Sequence, residues 1–413
     1  MNSFLKKQIL HFYEYRMLVA FFMLFTFSSL HSQIWQSVAD FPSTERDDGL
    51  SFVIGNKAFC GTGYETGWTE TGDFYSFDFS TLLWTPIASL PSGMERQYAA
   101  GFSSSNFGYV FGGVKTGVFL NDLWQYNLEL NLWTEQASLP SVGRSGSASF
   151  VLNGIAYVIG GKTSTEEAMD EVWAYDIQQN IWEQKNNLAF GSRFRAAGVA
   201  LNNKGYLIFG RDENNQYHNE LYEYNPATDS WIELSEFPSA GRMHSSLQAV
   251  ENKLLVLAGV DSNANYYNDM WSFNRDSLLW EEYEPIPSFG RKGGMSFSNG
   301  IDVYYTTGIN QENLRLKESW KASNPTGIRI TASCQELLIY PNPLRDFLFL
   351  EIPGYIPSET CFFSLYDSFG QKIEKGTLTQ SITEIDMEDR VEGVYLLRLE
   401  RNGCHRTHKL VKQ

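Results

Sequence analysis

Six arginines stand at places where one chemistry could be repeated. Arg46, Arg144, Arg193, Arg242 and Arg291 fall on a common step of 49 residues, and Arg96 is one residue out. A guanidinium fork binds a carboxylate through two parallel hydrogen bonds. A ring of such forks would suit an acidic sugar or a carboxylate-bearing peptide. Trp68, Tyr217, Tyr266 and Tyr267 lie in polar stretches between apolar runs, where aromatic faces can stack on sugar rings. Other chemistry is poorly supplied. The chain has neither G-x-S-x-G nor H-E-x-x-H. Asp212, Asn214 and Gln216, and again Asp261, Asn263 and Asn265, begin like calcium loops. Both lack the glycine at the sixth position, and they read better as turns. No metal site and no other cofactor is expected.

These side chains need a scaffold. The chain has 413 residues, a length for two or three domains. It is 43% hydrophobic and only 19% charged, so it can bury a large core. The 48 acids outnumber the 32 bases, a net charge of −16. That balance argues against nucleic acid or an anionic membrane surface as the main partner. Aromatics at 15% and 34 glycines point to a β-rich chain with many turns.

The scaffold is a repeat. Trp35, Trp84, Trp133, Trp182, Trp231 and Trp280 are spaced by 49 throughout. Tyr75, Trp124, Trp173, Tyr222, Trp271 and Trp320 keep the same step, each with an acid two residues earlier: Asp73, Asp122, Glu171, Glu220, Asp269 and Glu318. Gly63, Gly112, Gly161, Gly210, Gly259 and Gly308 form a further ladder. Each unit reads as four short strands. In the third unit, residues 146–152 alternate small and apolar residues, Asn153-Gly154 turns the chain, and 155–160 is a continuous apolar run. Strands over 171–176 and 181–184 complete it. Such a unit cannot bury both faces alone, whereas radial stacking of several units can.

The order of arginine, glycine pair, D-L-W-x-Y, tryptophan and proline resembles the kelch repeat. The second unit carries it as Arg96, Gly112-Gly113, Asp122-Leu123-Trp124-Gln125-Tyr126, Trp133 and Pro140. The resemblance covers residues 33–322 and implies an all-β, six-bladed propeller. The pair is degraded to Gly210-Arg211, Ala258-Gly259 and Thr307-Gly308. The strand at Trp35 has no earlier partners of its own, and the unit ending at Trp320 lacks a fourth strand. The two should pair and close the ring. Each arginine precedes an innermost strand. Chain direction then puts all six on one face with the long loops 64–72, 114–121, 162–169, 211–219, 260–268 and 309–317. Two roles stay open for them: ties between neighbouring blades, or a binding ring at the channel mouth.

Both ends read as addresses. Lys6, Lys7 and Arg16 precede the apolar run 17–30, too short to span a bilayer, and Ser32 follows. Residues 1–32 are therefore expected to be a signal peptide, and no integral membrane segment remains after cleavage. Residues 323–336 are a polar linker. Residues 337–413 carry Tyr340-Pro341-Asn342-Pro343, a turn at 367–371, the strand 393–399 and the end Lys409-Leu410-Val411-Lys412-Gln413. This resembles the C-terminal sorting domain of the type IX secretion system. The resemblance implies a small Ig-like β-sandwich, a partnership with that secretion machinery, and delivery to the outer cell surface or the medium. Cys60 falls in a buried strand as a free core residue. Among Cys334, Cys361 and Cys404, the favoured disulfide is Cys361 with Cys404.

The expected function is a non-catalytic binding propeller with a protein or carbohydrate ligand on its arginine-bearing face. Two alternatives stand beside it. Six-bladed kelch proteins include sialic-acid mutarotases, and Arg242, Arg291 and Glu213 could supply an acid–base site of that kind. A surface scaffold between proteins is the other. The copper site of galactose oxidase, also kelch-like, is not expected, because only His218 and His244 are at hand in the propeller.

Overall fold

The computed structural model describes residues 35–165, 167–323, 338–341, 343–351, 361–367, 371–401 and 404–413. The segment read as a signal peptide, most of the linker and Cys334 lie outside the described residues. The chain divides into two compact units at Arg329/Ile330. All the regular structure described is β. Among the described residues, no helix is long and apolar enough to cross a membrane.

The first unit is six blades. In blade three, Ala148–Leu152, Ile155–Ile159, Val172–Asp176 and Ile181–Gln184 pair in sequence order, each antiparallel to the next. Asn153 and Gly154 join the first two strands with φ of 51° and 81°, the left-handed pair a two-residue hairpin needs. The second strand is buried almost throughout, because blades pack on both of its faces. Blade six is composite. Met295–Ser298, Val303–Thr306 and Ser319–Ala322 take Trp35–Val38 as their outer strand, in the register Trp35 to Ala322 and Val38 to Ser319. Its inner strand meets Leu50–Ile54 of blade one, so the ring closes.

The repeated residues stitch blade to blade. Indole nitrogens reach back to the preceding blade: Trp84 to the Ala39 carbonyl, Trp133 to Ala88 and Trp182 to Ala137, at 2.7–2.8 Å. On the inner strands, hydroxyls do the same. Ser51 donates to the Ser296 carbonyl, Ser103 to Val53 and Ser149 to Gly101. Each such bond contributes about 1 kcal/mol, and their repetition around the ring makes opening it costly.

The glycine ladder needs one correction. A strict 49-residue step selects Gly112, but the structural equivalent of Gly63, Gly161, Gly210, Gly259 and Gly308 is Gly113. Its φ of 98° matches theirs, which run from 86° to 107°. The residue Arg96 gains in sequence is carried to this point and lost in the following loop. Each of these glycines follows another left-handed residue: Thr62, Gly112, Gly160, Phe209, Ala258 or Thr307. The pair in blade four is therefore Phe209-Gly210, not Gly210-Arg211. The second position stays glycine for lack of space. A Cβ on Gly63 would sit 2.6 Å from the Asp47 carbonyl oxygen, and one on Gly113 2.7 Å from that of Gln97.

The second unit has two sheets among its described residues. Leu338–Tyr340, Phe347–Glu351 and Ile382–Asp386 form one, and Lys372–Leu378, Cys361–Tyr366, Gly393–Arg401 and Cys404–Lys412 the other. Leu348, Leu350 and Ile385 from the first join Phe363, Leu365, Leu397 and Leu399 from the second in one apolar cluster. The favoured disulfide is not supported. Cys361 and Cys404 both register with Arg401, from opposite sides of its strand. Their Cα atoms are therefore about 10 Å apart, beyond the roughly 7 Å a disulfide spans.

Candidate functional site

The arginine ladder and the acid ladder meet inside each blade. Arg46 pairs with Asp73 at 2.6 Å, and Arg96 with Asp122, Arg144 with Glu171 and Arg242 with Asp269 each at 2.7 Å. Arg291 reaches Glu318, and Arg193 lies 3.8 Å from Glu220. Arg46, Arg96 and Arg242 are bidentate. A second donor of the same fork closes the blade. Arg46 Nη1 donates to the Thr62 carbonyl, Arg96 to Gly112, Arg242 to Ala258 and Arg291 to Thr307. All six side chains are buried. The guanidinium groups therefore hold their own blades. It is the arginine backbone that ties neighbours: Gly63 N donates to Arg96 O, Gly113 to Arg144, Gly161 to Arg193 and Gly308 to Arg46, all at 2.8 Å. The shared face follows directly, because Arg46 pairs with Glu65, Arg242 with Asp261 and Arg291 with Asn310 in short ladders at the loop bases.

Two residues beyond each arginine is a position that sequence reading passed over: Asp48, Tyr98, Gly146, Arg195, His244 and Gly293. All six are left-handed, with φ between 54° and 65°. Their backbones link around the axis: Tyr98 N to Asp48 O, Gly146 to Tyr98, Arg195 to Gly146, Gly293 to His244 and Asp48 to Gly293, at 2.7–3.5 Å. The sixth link, His244 to Arg195, is not made by the backbone; there the two side chains meet, Arg195 Nη1 against His244 Nε2. The glycines make room for their neighbours. A Cβ on Gly293 would fall 2.5 Å from Asp48 Oδ1, and one on Gly146 2.5 Å from the Phe194 ring.

Four side chains thus converge at one end of the axis. His244 Nδ1 lies 3.1 Å from Asp48 Oδ1, with both side chains buried. The Arg195 guanidinium stacks on Tyr98 at 4.1 Å. Burial, then the charges of Arg195 and Lys292, holds the His244 imidazole well below its usual pKa, so it is neutral. Burial first, and Asp48 second, pushes the Tyr98 hydroxyl well up. Next to this group, Asp47 is pushed up to about 7 by burial and by Asp48, against the opposing Arg315, whose Nε lies 2.6 Å from its carboxylate. A carboxyl in that state can take or give a proton near neutral pH.

The remaining candidates divide. Trp68 is 66% exposed beside the Arg315 guanidinium at 4.6 Å. Tyr217 and Tyr266 are half-buried against Phe194, Met243 and Val260. Tyr267 belongs to the framework, its ring 3.7 Å from the Arg242 guanidinium and its hydroxyl donating to Asp261. Glu213 accepts from the Ser192 hydroxyl. The calcium-like loops are turns: Asp212 Oδ1 accepts from Asn214 N and Gln216 N, and Asp261 Oδ1 from Asn263 N and Asn265 N. Asn310 makes the same turn in blade six. Among the described residues, no cluster of three His, Cys, Asp or Glu side chains could hold a metal.

Behind the axial cluster runs the channel, a cavity of about 440 Å³. It is lined from Gly49, Ser147 and Ser245 to Ser103, Val151 and Gln248. Its lining is mostly small, and several of its hydroxyls are already engaged by the inter-blade bonds.

Comparison with known proteins agrees with this architecture. Residues 19–191 match the family described as the KLHDC2/KLHL20/DRC7 Kelch-repeats domain, and residues 135–301 the Attractin/LZTR1 beta-propeller. Residues 338–413 match the Secretion system C-terminal sorting domain. The chain is a kelch-repeat β-propeller with a type IX sorting tail. This kelch propeller also resembles the solved structure of YjhT, with a TM-score of 0.60 and 19% identity over 68% of this chain and 95% of that one. At that identity the likeness speaks for the fold alone. No curated protein matches the chain. The sorting tail ties this kelch protein to the secretion machinery that reads such tails.

Proposed function

We propose that this is an exported kelch propeller that binds a protein or carbohydrate ligand on its arginine-bearing face, at the outer cell surface or in the medium. One observation carries the reading. Asp48, Tyr98, Arg195 and His244, from four blades, converge where the loops of all six are anchored. The loop aromatics Trp68, Tyr217 and Tyr266 flank that end with apolar and stacking surface. The binding candidates shift accordingly. The ladder arginines support the blades, and Arg195 and the loop side chains meet the ligand. The test is a screen of glycan arrays and of outer-surface extracts with the full chain, repeated with Arg195→Gln and Trp68→Ala. Retention of one ligand class by the native protein and its loss in the variants is expected. Equal retention by all three proteins would defeat the reading.

A second reading is favoured by one group. Asp47, poised near neutral pH beside Tyr98, Asp48 and Arg315, suits acid–base catalysis on a sugar, in the manner of a sialic-acid mutarotase. Arg242, Arg291 and Glu213 do not serve it, being engaged elsewhere. NMR of freshly dissolved sialic acid decides between binding and turnover: unchanged anomer equilibration with added protein removes the enzyme.

A further inference from the structure

Resting on the reading of this face as the binding face, we propose that Lys162, Arg195, Arg211 and Lys292 form a site for a doubly charged tetrahedral oxyanion, the phosphate monoester group of a ligand.

The geometry gathers three of them around one ring. The Lys162 ammonium is 5.3 Å from the Phe194 centroid, and the Arg195 and Arg211 guanidinium carbons are at 4.6 and 5.5 Å. Three cationic centres thus lie within 5.5 Å of one point. Lys292 stands 5.4 Å from the Tyr266 ring, which packs on the same apolar cluster as Phe194. This concentration occurs in a chain whose net charge is −16.

The compensating charge is small. Glu167, 59% exposed, lies 2.8 Å from Arg211 Nη2 and 3.9 Å from Lys162 Nζ. Among the described residues, no carboxylate is within ion-pair distance of Arg195 or Lys292. Arg195 turns one donor to the neutral His244, and Nε of both Arg195 and Arg211 is buried without a hydrogen-bond partner. Aromatic stacking on Tyr98 and Phe194 holds the Arg195 fork in place without neutralising it. Four cations facing the exposed Glu167 and the Asp48 carboxylate beside His244 still leave more than one uncompensated charge. A single carboxylate would cancel only one. Arg211 Nη1 is held by the Asn215 amide oxygen, so a tetrahedral dianion is met by Arg195 Nη2, by the ammonium groups and by the Arg211 Nη2 that the exposed Glu167 otherwise takes, which matches its charge and its three oxygens.

The test is calorimetry and thermal shift on the full chain with inorganic phosphate, sulfate and acetate at matched ionic strength. Saturable stabilisation by phosphate and sulfate but not acetate is expected. Arg195→Gln and Arg211→Gln should each weaken it about tenfold or more. If Arg195→Gln does not fold, Arg211→Gln and Lys292→Gln, checked by circular dichroism, carry the same test. Equal responses to phosphate and acetate, or unchanged phosphate affinity in Arg211→Gln, would overturn the site. Glucose 6-phosphate and vesicles containing phosphatidic acid separate the sources. Binding of the first identifies a soluble sugar phosphate, sedimentation with the second a lipid headgroup, and either supports the site. A neutral glycan or protein that binds indifferently to phosphate would overturn this inference and leave the binding reading intact. Phosphate binding without any macromolecular ligand would do the reverse.

Discussion

Trp35 and Glu284 are 249 residues apart, yet the indole nitrogen of Trp35 donates to the Glu284 carbonyl at 2.8 Å. This bond joins blade six to blade five through a strand supplied by the start of the propeller. It is the same stitch that Trp84, Trp133 and Trp182 make within the continuous part of the chain.

Removing residues up to Val38 should therefore open the ring. The strand Ser319–Ala322 would lose its outer partner and the cluster of Tyr283, Tyr305 and Ala322 its Trp35 side chain. The expected outcome is a lower melting temperature and faster proteolysis near blade six than near blade three. Uniform cleavage with an unchanged melt would contradict the closure.

Arg242 is fully buried and pairs with the less buried Asp269. Arg242→Ala leaves a carboxylate without its partner and should cost about 3–5 kcal/mol, read by chemical denaturation. Lys253→Ala, at a more exposed pair with Glu281, should cost about 1 kcal/mol or less.

Gly259→Ala places a Cβ 2.0 Å from Ser245 Oγ at a φ of 107°. Gly300→Ala, at a φ of 88°, meets nothing within 4 Å. The first should lose more than about 2 kcal/mol and the second about 1 kcal/mol. Similar losses in both would mean that backbone strain alone, and not close approach, keeps the ladder glycine.

The pH response has two opposed parts. Asp47 has a folded pKa raised to about 7, so the folded state holds the proton more tightly than the unfolded chain. Its contribution to stability is present below the ordinary Asp range and is lost as pH rises towards 7. His244 is depressed, so its contribution is present above the ordinary histidine range and is lost as pH falls below it. Asp47→Asn should flatten the decline between about pH 4 and pH 7, on the scale of ~1 kcal/mol or more. A melt series showing the same slope in variant and native protein would exclude Asp47 as its source.

Much of the fold was legible because repetition multiplies weak signals. No single tryptophan or glycine names a propeller, but ladders in step over six units do. The fourth-strand character of the Trp35 segment even told which ends must meet. The roles of the ladders were less legible. The arginines and the acids were both visible, 26 or 27 residues apart, but nothing local says that they face each other within one blade. The one-residue slip showed at Arg96, but its reach as far as Gly113 was hidden, because the strict 49-residue step resumes at Asp122.

What the amino-acid sequence determined by itself is the periodic part: short strands, hairpin turns, a blade that cannot bury its own faces, and a tail of different pattern. These follow from local propensity and from apolar spacing, which act over a few residues. Only the tertiary structure decided the axial cluster. Asp48, Tyr98, Arg195 and His244 are different residue types at one repeat position, so periodicity discards them as variation. Ring closure brings that position from every blade to a common point, where the differences add up to a single charged and aromatic surface.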